Sequence, residues 1–171
     1  MSVNFYNFPI GNLGIVSDKG NRFRPQDELY LYQVIFKPLW QGIHQIEETP
    51  LILEAKNQLD AYFAGNLKEF DLELDYNLKP TFTSYVLDEI QKIPYGETRS
   101  YKDIAIAVNE GIMGDDHTSG NYYRAVAQAC KNNPLPIIIP CHRVIASNGS
   151  LSGYAYGVDK KKYLLELEGA I

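Results

Sequence analysis

The chain has 171 residues, with 16 Lys and Arg against 21 Asp and Glu, giving a formal net charge of −5. Hydrophobic residues make up 45% and charged residues 22%, an ordinary globular balance that excludes a disordered tail or a coiled coil. The two cysteines, Cys130 and Cys141, are too few for a disulfide scaffold or a zinc ribbon, and a reducing compartment fits them.

Residues 1–50 alternate apolar and polar positions (Val3, Phe5, Phe8, then Leu29, Leu31, Val34, Ile35, Phe36), which predicts short strands and hairpins. A helix is predicted from about Leu51 to Phe63, where Ile52, Ala55, Leu59 and Phe63 keep helical spacing and Gly65-Asn66 closes it. The acidic segment Glu69 to Asp75, followed by Lys79-Pro80, reads as a link to a second region. From Thr81 the period is again helical, with Phe82, Val86 and Ile90 on one face and Pro94-Tyr95-Gly96 as the stop. Ser100 to Asp103 fits a capping box opening a helix whose Tyr101, Ile104, Ala105 and Val108 share a face. Glu110 to Gly120 reads as a polar, Gly-rich loop. A short Ala-rich helix is expected over Asn121 to Lys131, then a break at Asn132-Asn133-Pro134 and a buried strand, Leu135 to Ile139. A terminal helix is expected over Asp159 to Glu168. Three short helices and an extended segment suggest a winged helix-turn-helix, although pattern alone does not separate it from other small α+β modules.

No stretch approaches the roughly 20 apolar residues that cross a bilayer. Met1 to Phe8 lacks a basic region ahead of an apolar one, so no signal peptide is read and a soluble, cytoplasmic protein (nuclear in a eukaryote) is expected, without a membrane partner. Charge is uneven. Residues 121–162 hold Arg124, Lys131, Arg143, Lys160, Lys161 and Lys162 against Asp159 alone. Such a strip can attract phosphate despite the negative total, though a solvated basic face is the plainer reading. Lys160 to Lys162 read as the exposed first turn of the last helix.

Cys141 is the residue on which chemistry can turn. It follows Pro140 at the end of an apolar strand and precedes His142, Arg143 and a Gly-rich turn. A thiol is nucleophilic only as thiolate, and neighbouring cations or proton acceptors lower its pKa from about 8.5. On an extended strand His142 points away from Cys141, so direct deprotonation requires a turn or a bridging water. Cys130 reads as core, and His117 and His44, the latter near Trp40, as surface or packing residues.

The block Pro140-Cys141-His142-Arg143-Val144, with Asn133-Pro134 before it, resembles the active-site signature of the O6-alkylguanine-DNA alkyltransferases. Pro94-Tyr95-Gly96-Glu97-Thr98 with Ser100-Tyr101-Lys102 resembles the family's entry into its helix-turn-helix, and Arg124-Ala125-Val126 the start of its recognition helix. Ser152-Gly153-Tyr154, Leu164 to Gly169, and Gln58 to Gly65 are further blocks similar to that family, in register over about residues 50–169. Several ordered blocks at compatible spacing are a strong signal.

The resemblance implies a ribonuclease H-like α/β domain over 1–79 and a winged helix-turn-helix domain over 80–171. It implies direct reversal of DNA damage: an alkyl group passes once from O6-alkylguanine, and in some members O4-methylthymine, to the protein's own cysteine. No cofactor or metal is implied, and the partner is double-stranded DNA bearing O6-alkylguanine, bound by a monomer without an obligate protein partner. Carried over, Cys141 is the acceptor, His142 a base acting through water, Glu168 its orienting carboxylate, and Asn133 the brace of the turn. Tyr101, Arg124, Ala125, Ala129 and Arg143 would meet DNA, Arg124 by entering the base stack as the target nucleotide leaves. Val144, Tyr154, Ala155 and Tyr156 would line the pocket.

The sequence also departs from the family pattern. The segment 109–120 is long and acidic, Ala127 and Gln128 stand where a glycine is common, and Leu87 where tryptophan is frequent. Tyr156 replaces a small residue of some members, from which a tighter pocket is expected. Relatives that only bind damaged DNA lack the acceptor cysteine, whereas Cys141 is present. A hydrolase built on Cys141, His142 and Glu168 has no further sequence support.

Overall fold

The structure is a computed structural model that describes residues 1–19, 28–36, 45–76, 81–113 and 122–171. His44, Trp40 and His117 lie outside the described residues, as does most of the acidic segment 109–120. The chain divides into two compact units, Met1–Leu78 and Lys79–Ile171.

In the first unit the alternation noted above becomes β1 (Ser2–Phe8), β2 (Gly11–Lys19) and β3 (Leu29–Phe36), with a short β4 (Gln45–Ile46). The sheet order is β3-β2-β1-β4; β1/β2 and β2/β3 are antiparallel, and β4 runs parallel to β1. A two-residue turn joins β1 to β2, pairing Phe8 with Gly11, which takes φ +122°. Helix α1 (Pro50–Phe63) packs on this sheet through Ile52, Ala55, Leu59 and Tyr62. Its start is set by Thr49, whose hydroxyl accepts the Ile52 N–H at 3.2 Å, and by Pro50, which has no N–H to leave unpaired.

The acidic segment expected to be a mere link does more. Leu31 N–H donates to Glu73 O at 2.7 Å and Asp75 N–H to Leu31 O at 2.9 Å, so residues 73–75 bond along the free edge of β3. A bare strand edge needs partners for its amides and carbonyls, and this stretch provides them.

In the second unit α2 (Phe82–Gln91), α3 (Tyr101–Met113) and α4 (Tyr122–Lys131) pack on one another, followed by a 3₁₀ turn at Cys141–Arg143 and α5 (Val158–Leu167). Two short strands, β5 (Arg99–Ser100) and β6 (Val144–Ile145), pair in parallel and tie the start of α3 to the residues after Cys141. The capping box at α3 forms: Ser100 N–H donates to Asp103 Oδ2 at 2.9 Å, and Asp103 N–H to Ser100 Oγ at 3.1 Å. Helix α3 continues to Met113, so the first part of the expected loop is helical. Val86, Leu87, Ile90, Ile104, Val108, Val126, Leu164 and Leu165 are buried in this unit's core.

Residues 135–139 differ from expectation: they form turns rather than a strand. Ile139 N–H returns to Leu135 O at 2.8 Å, and Ile137 takes φ +77°. The run is apolar because Leu135, Ile137 and Ile139 are wholly buried, a pattern that a strand and a buried turn share.

Candidate active site

Cys141 is delivered by that turn, and Asn133 holds the turn shut. Its carbonyl oxygen accepts Leu135 N–H at 3.0 Å, and its amide donates to Ile139 O at 2.9 Å and to Cys141 Sγ at 3.1 Å. One side chain therefore closes the loop and points an N–H at the sulfur. Ile137 keeps a left-handed backbone that β-branched residues avoid, a strain the Asn133 bonds hold in place. Because 141–143 is a 3₁₀ turn, Cys141 and His142 are not on opposite faces of a strand.

A carboxylate organises the next layer. Glu168 caps the C-terminus of α5 and is buried, as are His142 and Arg143. Its Oε1 accepts His142 Nε2 at 2.8 Å and Arg143 Nη2 at 3.0 Å; its Oε2 accepts Arg143 Nε at 2.9 Å and the Gly96 N–H at 3.4 Å. The remaining Arg143 nitrogen, Nη1, donates to Ile93 O at 2.6 Å. Gly96 is required here: it takes φ +79°, and a Cβ on it would lie 3.0 Å from the Glu168 backbone oxygen.

This geometry settles the histidine tautomer. A carboxylate can only accept, so His142 carries its proton on Nε2 and leaves Nδ1 as the basic atom. Nδ1 is buried with no hydrogen-bond partner among the described residues. Burial pushes the His142 pKa below 6.5, against the opposing pull of Glu168, so the ring is neutral near pH 7.

The thiol is protonated at rest. Burial pushes Cys141 up to about 11, while the Asn133 hydrogen bond and the positive charge of Lys161 pull the other way. Lys161 corrects the reading of 160–162 as an exposed run: it is fully buried, and its Nζ donates to Val144 O at 2.5 Å. It also lies 5.7 Å from the centre of the Tyr101 ring. Burial lowers its pKa, partly offset by Cys141 and Cys130.

Tyr101 and Tyr156, both half-buried, lie within electrostatic reach of the sulfur; Val144 is buried, Tyr154 half-buried and Ala155 exposed. The Tyr154 and Tyr156 rings meet edge to face at 5.5 Å. Burial raises the phenols of Tyr101 and Tyr156 to about 12, and both feel the charge at Cys141. A Cβ on Gly153 would lie 3.2 Å from the Tyr101 hydroxyl, so a residue without one lets the loop come close. Cys130 is buried, as expected of a core residue.

Two of the residues expected to face DNA turn inward. Arg143 is buried, and its guanidinium is taken up by Glu168 and Ile93, leaving no donor face for phosphate. Ala129 is 1% exposed, on the core side of α4 with Val126 and Cys130. The outward face of α4 carries Tyr123, Arg124, Ala125 and Gln128. From sequence Tyr123 carries no role, Gln128 is marked only as standing where a glycine is common, and Lys161 is placed in an exposed run. Helical spacing held the signal for the last: Lys161, Leu164, Leu165 and Glu168 follow the i, i+3, i+4, i+7 stripe that α5 buries.

Residues 81–170 match the family model described as 6-O-methylguanine DNA methyltransferase, DNA binding domain, and residues 1–76 that of its ribonuclease-like domain. The chain belongs to the 6-O-methylguanine-DNA methyltransferase family. It is 41% identical over 163 residues to the constitutive methylated-DNA–protein-cysteine methyltransferase of Bacillus subtilis, covering 94% of this chain and 90% of that one. It is 46% identical over 123 residues to the methylated-DNA–protein-cysteine methyltransferase of Methanosarcina barkeri, 72% of each. The crystal structure of Mycobacterium tuberculosis OGT in complex with DNA superposes with a TM-score of 0.79 at 35% identity, covering 99% of this chain and 94% of that one. The two-part architecture of this family, a ribonuclease-like unit before a winged helix-turn-helix, is the one the sequence blocks implied.

Proposed function

We propose that this protein repairs DNA by direct reversal, moving a methyl or other small alkyl group from O6 of guanine to Cys141 in one turnover per chain. The observation that carries the reading is the order of groups around the sulfur: an N–H from Asn133 on Sγ, and a neutral His142 whose Nε2–H is tied to a buried Glu168. In this reading residues 80–171 bind double-stranded DNA and perform the transfer, and the protein works as a cytoplasmic monomer. No cofactor takes part.

A base inside a duplex is out of reach, so the target nucleotide leaves the stack at a cost of a few kcal/mol, and Arg124 on the exposed face of α4 fills the gap. Ala125 beside it allows close approach of the helix to the groove. Tyr101 meets the phosphate and the extruded base, while Val144, Tyr154, Ala155 and Tyr156 enclose it. His142 Nδ1 then takes the Cys141 proton through one water, and Glu168 stabilises the imidazolium that forms. The thiolate attacks the methyl carbon; the S–C bond forms as the C–O6 bond breaks, and guanine leaves with the electron pair and regains a proton. A thioether is a poor leaving group, so the chain is spent.

The burial that pushes the thiol up to about 11 suits this role, since a resting thiolate would react with any electrophile. The test is a count of restored guanine per chain on a duplex with one O6-methylguanine. The expected count saturates at one, and Cys141→Ala binds the duplex without restoring any. Repair beyond one per chain, or by Cys141→Ala, would overturn the reading.

A further inference from the structure

The proposed mechanism gives Arg124 a task and leaves its neighbour Tyr123 with none. Helix α4 buries Val126, Ala129 and Cys130, and its first residue, Tyr122, stacks on Phe82 of α2 with ring centres 6.1 Å apart and planes at 29°. That stack anchors the start of the helix. Tyr123, one residue on, is 45% exposed, somewhat more open than Tyr85 at 40% and Tyr163 at 37%. The Arg124 guanidinium lies 6.0 Å from the centre of this ring. Aromatic faces attract guanidinium groups, and they stack on nucleobases of any sequence.

We propose that Tyr123 is a positioning and stacking partner of Arg124: its ring holds the guanidinium over the outer face of α4, then packs against a base left exposed when the target nucleotide leaves the duplex. The inference rests on the base-extrusion reading above. An exposed Arg samples many rotamers, and a ring beside it at the start of the helix restricts them before DNA arrives. Once Arg124 moves into the duplex, the face it covered is free for a base. Sequence-neutral repair needs this kind of contact, because every base offers a π face and no hydrogen-bond code is read.

The test compares the wild type with Tyr123→Phe, Tyr123→Ala, Arg124→Ala and the double Ala variant. Methyl-transfer rates are measured on an O6-methylguanine duplex with 2-aminopurine beside the lesion, and alkyl-transfer rates on the free base O6-benzylguanine. Tyr123→Ala is expected to slow duplex repair on the order of tenfold, while the free-base rate moves less than twofold. Tyr123→Phe keeps the duplex rate within about twofold and retains the 2-aminopurine quenching that Tyr123→Ala loses. The double variant is no slower than Arg124→Ala, since the two side chains act as a unit. A Tyr123→Ala duplex rate within twofold of wild type would overturn the inference. So would an equal loss in Tyr123→Phe, which would assign the effect to the hydroxyl. If Arg124→Ala slows both substrates equally, base extrusion by Arg124 fails and this inference with it. If Arg124→Ala separates them and Tyr123→Ala does not, only the Tyr123 inference falls.

Discussion

Arg143 and Glu168 show why neighbours of a nucleophile need not touch substrate. Read along the chain, Arg143 is a cation in a basic strip; folded, it is a strut that holds Glu168 and so His142. The sequence marks both residues but not their pairing, because they stand 25 positions apart and meet through the packing of α5 against the 3₁₀ turn. Arg143→Ala leaves a buried carboxylate with one partner fewer, which predicts a loss of about 3–5 kcal/mol in stability. Urea melts check the loss, and the salt dependence of DNA affinity, unchanged in its slope for any protein that still folds, checks that no phosphate contact has gone. Tyr156 carries the opposite kind of prediction. Its ring packs against Tyr154 near the sulfur, so benzyl transfer is expected to be slower than methyl transfer from matched duplexes, and Tyr156→Gly to narrow the difference. Equal rates for the two adducts in the wild type would contradict a tight pocket.

At the scale of elements, the long periodic segments were legible and the short apolar one was not. Helices α1, α2, α4 and α5 lie within a residue or two of where spacing and stop signals put them, since a 3.6-residue stripe survives in sequence. Residues 135–139 look like a strand in sequence because a wholly buried turn has no polar face to break the apolar run. The face of α4 was half legible: Arg124 and Ala125 point outward, while Ala129 shares the buried side with Val126 and Cys130. An alanine's burial leaves little trace in composition. The loop before α3 makes a direct test of the packing. Gly96→Ala must place a Cβ 3.0 Å from the Glu168 backbone oxygen at φ +79°. It is expected to cost roughly 1–3 kcal/mol and to slow transfer by shifting the end of α5. Thermal melts and single-turnover rates check both; an unchanged melting temperature would show that the contact gives way freely.

For the molecule as a whole, the buried titratable groups set a pH window. His142 has a folded pKa below its ordinary 6.5, so the unfolded chain binds the extra proton first; its contribution is complete above pH 6.5 and is lost as the pH falls through the folded value. Cys141 and Cys130 are pushed from 9.0 up to about 11 and about 12, so their contribution is complete below pH 9 and is lost as the pH rises toward those values. Stability is therefore expected to be greatest between about pH 6.5 and 9, and His142→Phe to flatten the acid side; denaturant melts across pH check the shape. Net charge was the least informative whole-chain property, since −5 overall coexists with an outward-facing Arg124 on α4.

In the proposed reaction one cysteine, Cys141, accepts the alkyl group. The direct measurement is the intact mass of the protein after incubation with a duplex bearing a single O6-methylguanine, followed by peptide mapping. A gain of one methyl is expected, saturating at one per chain and carried by Cys141. A methyl on Cys130 or any other residue, or tight binding to the lesion with no gain in mass, would contradict it.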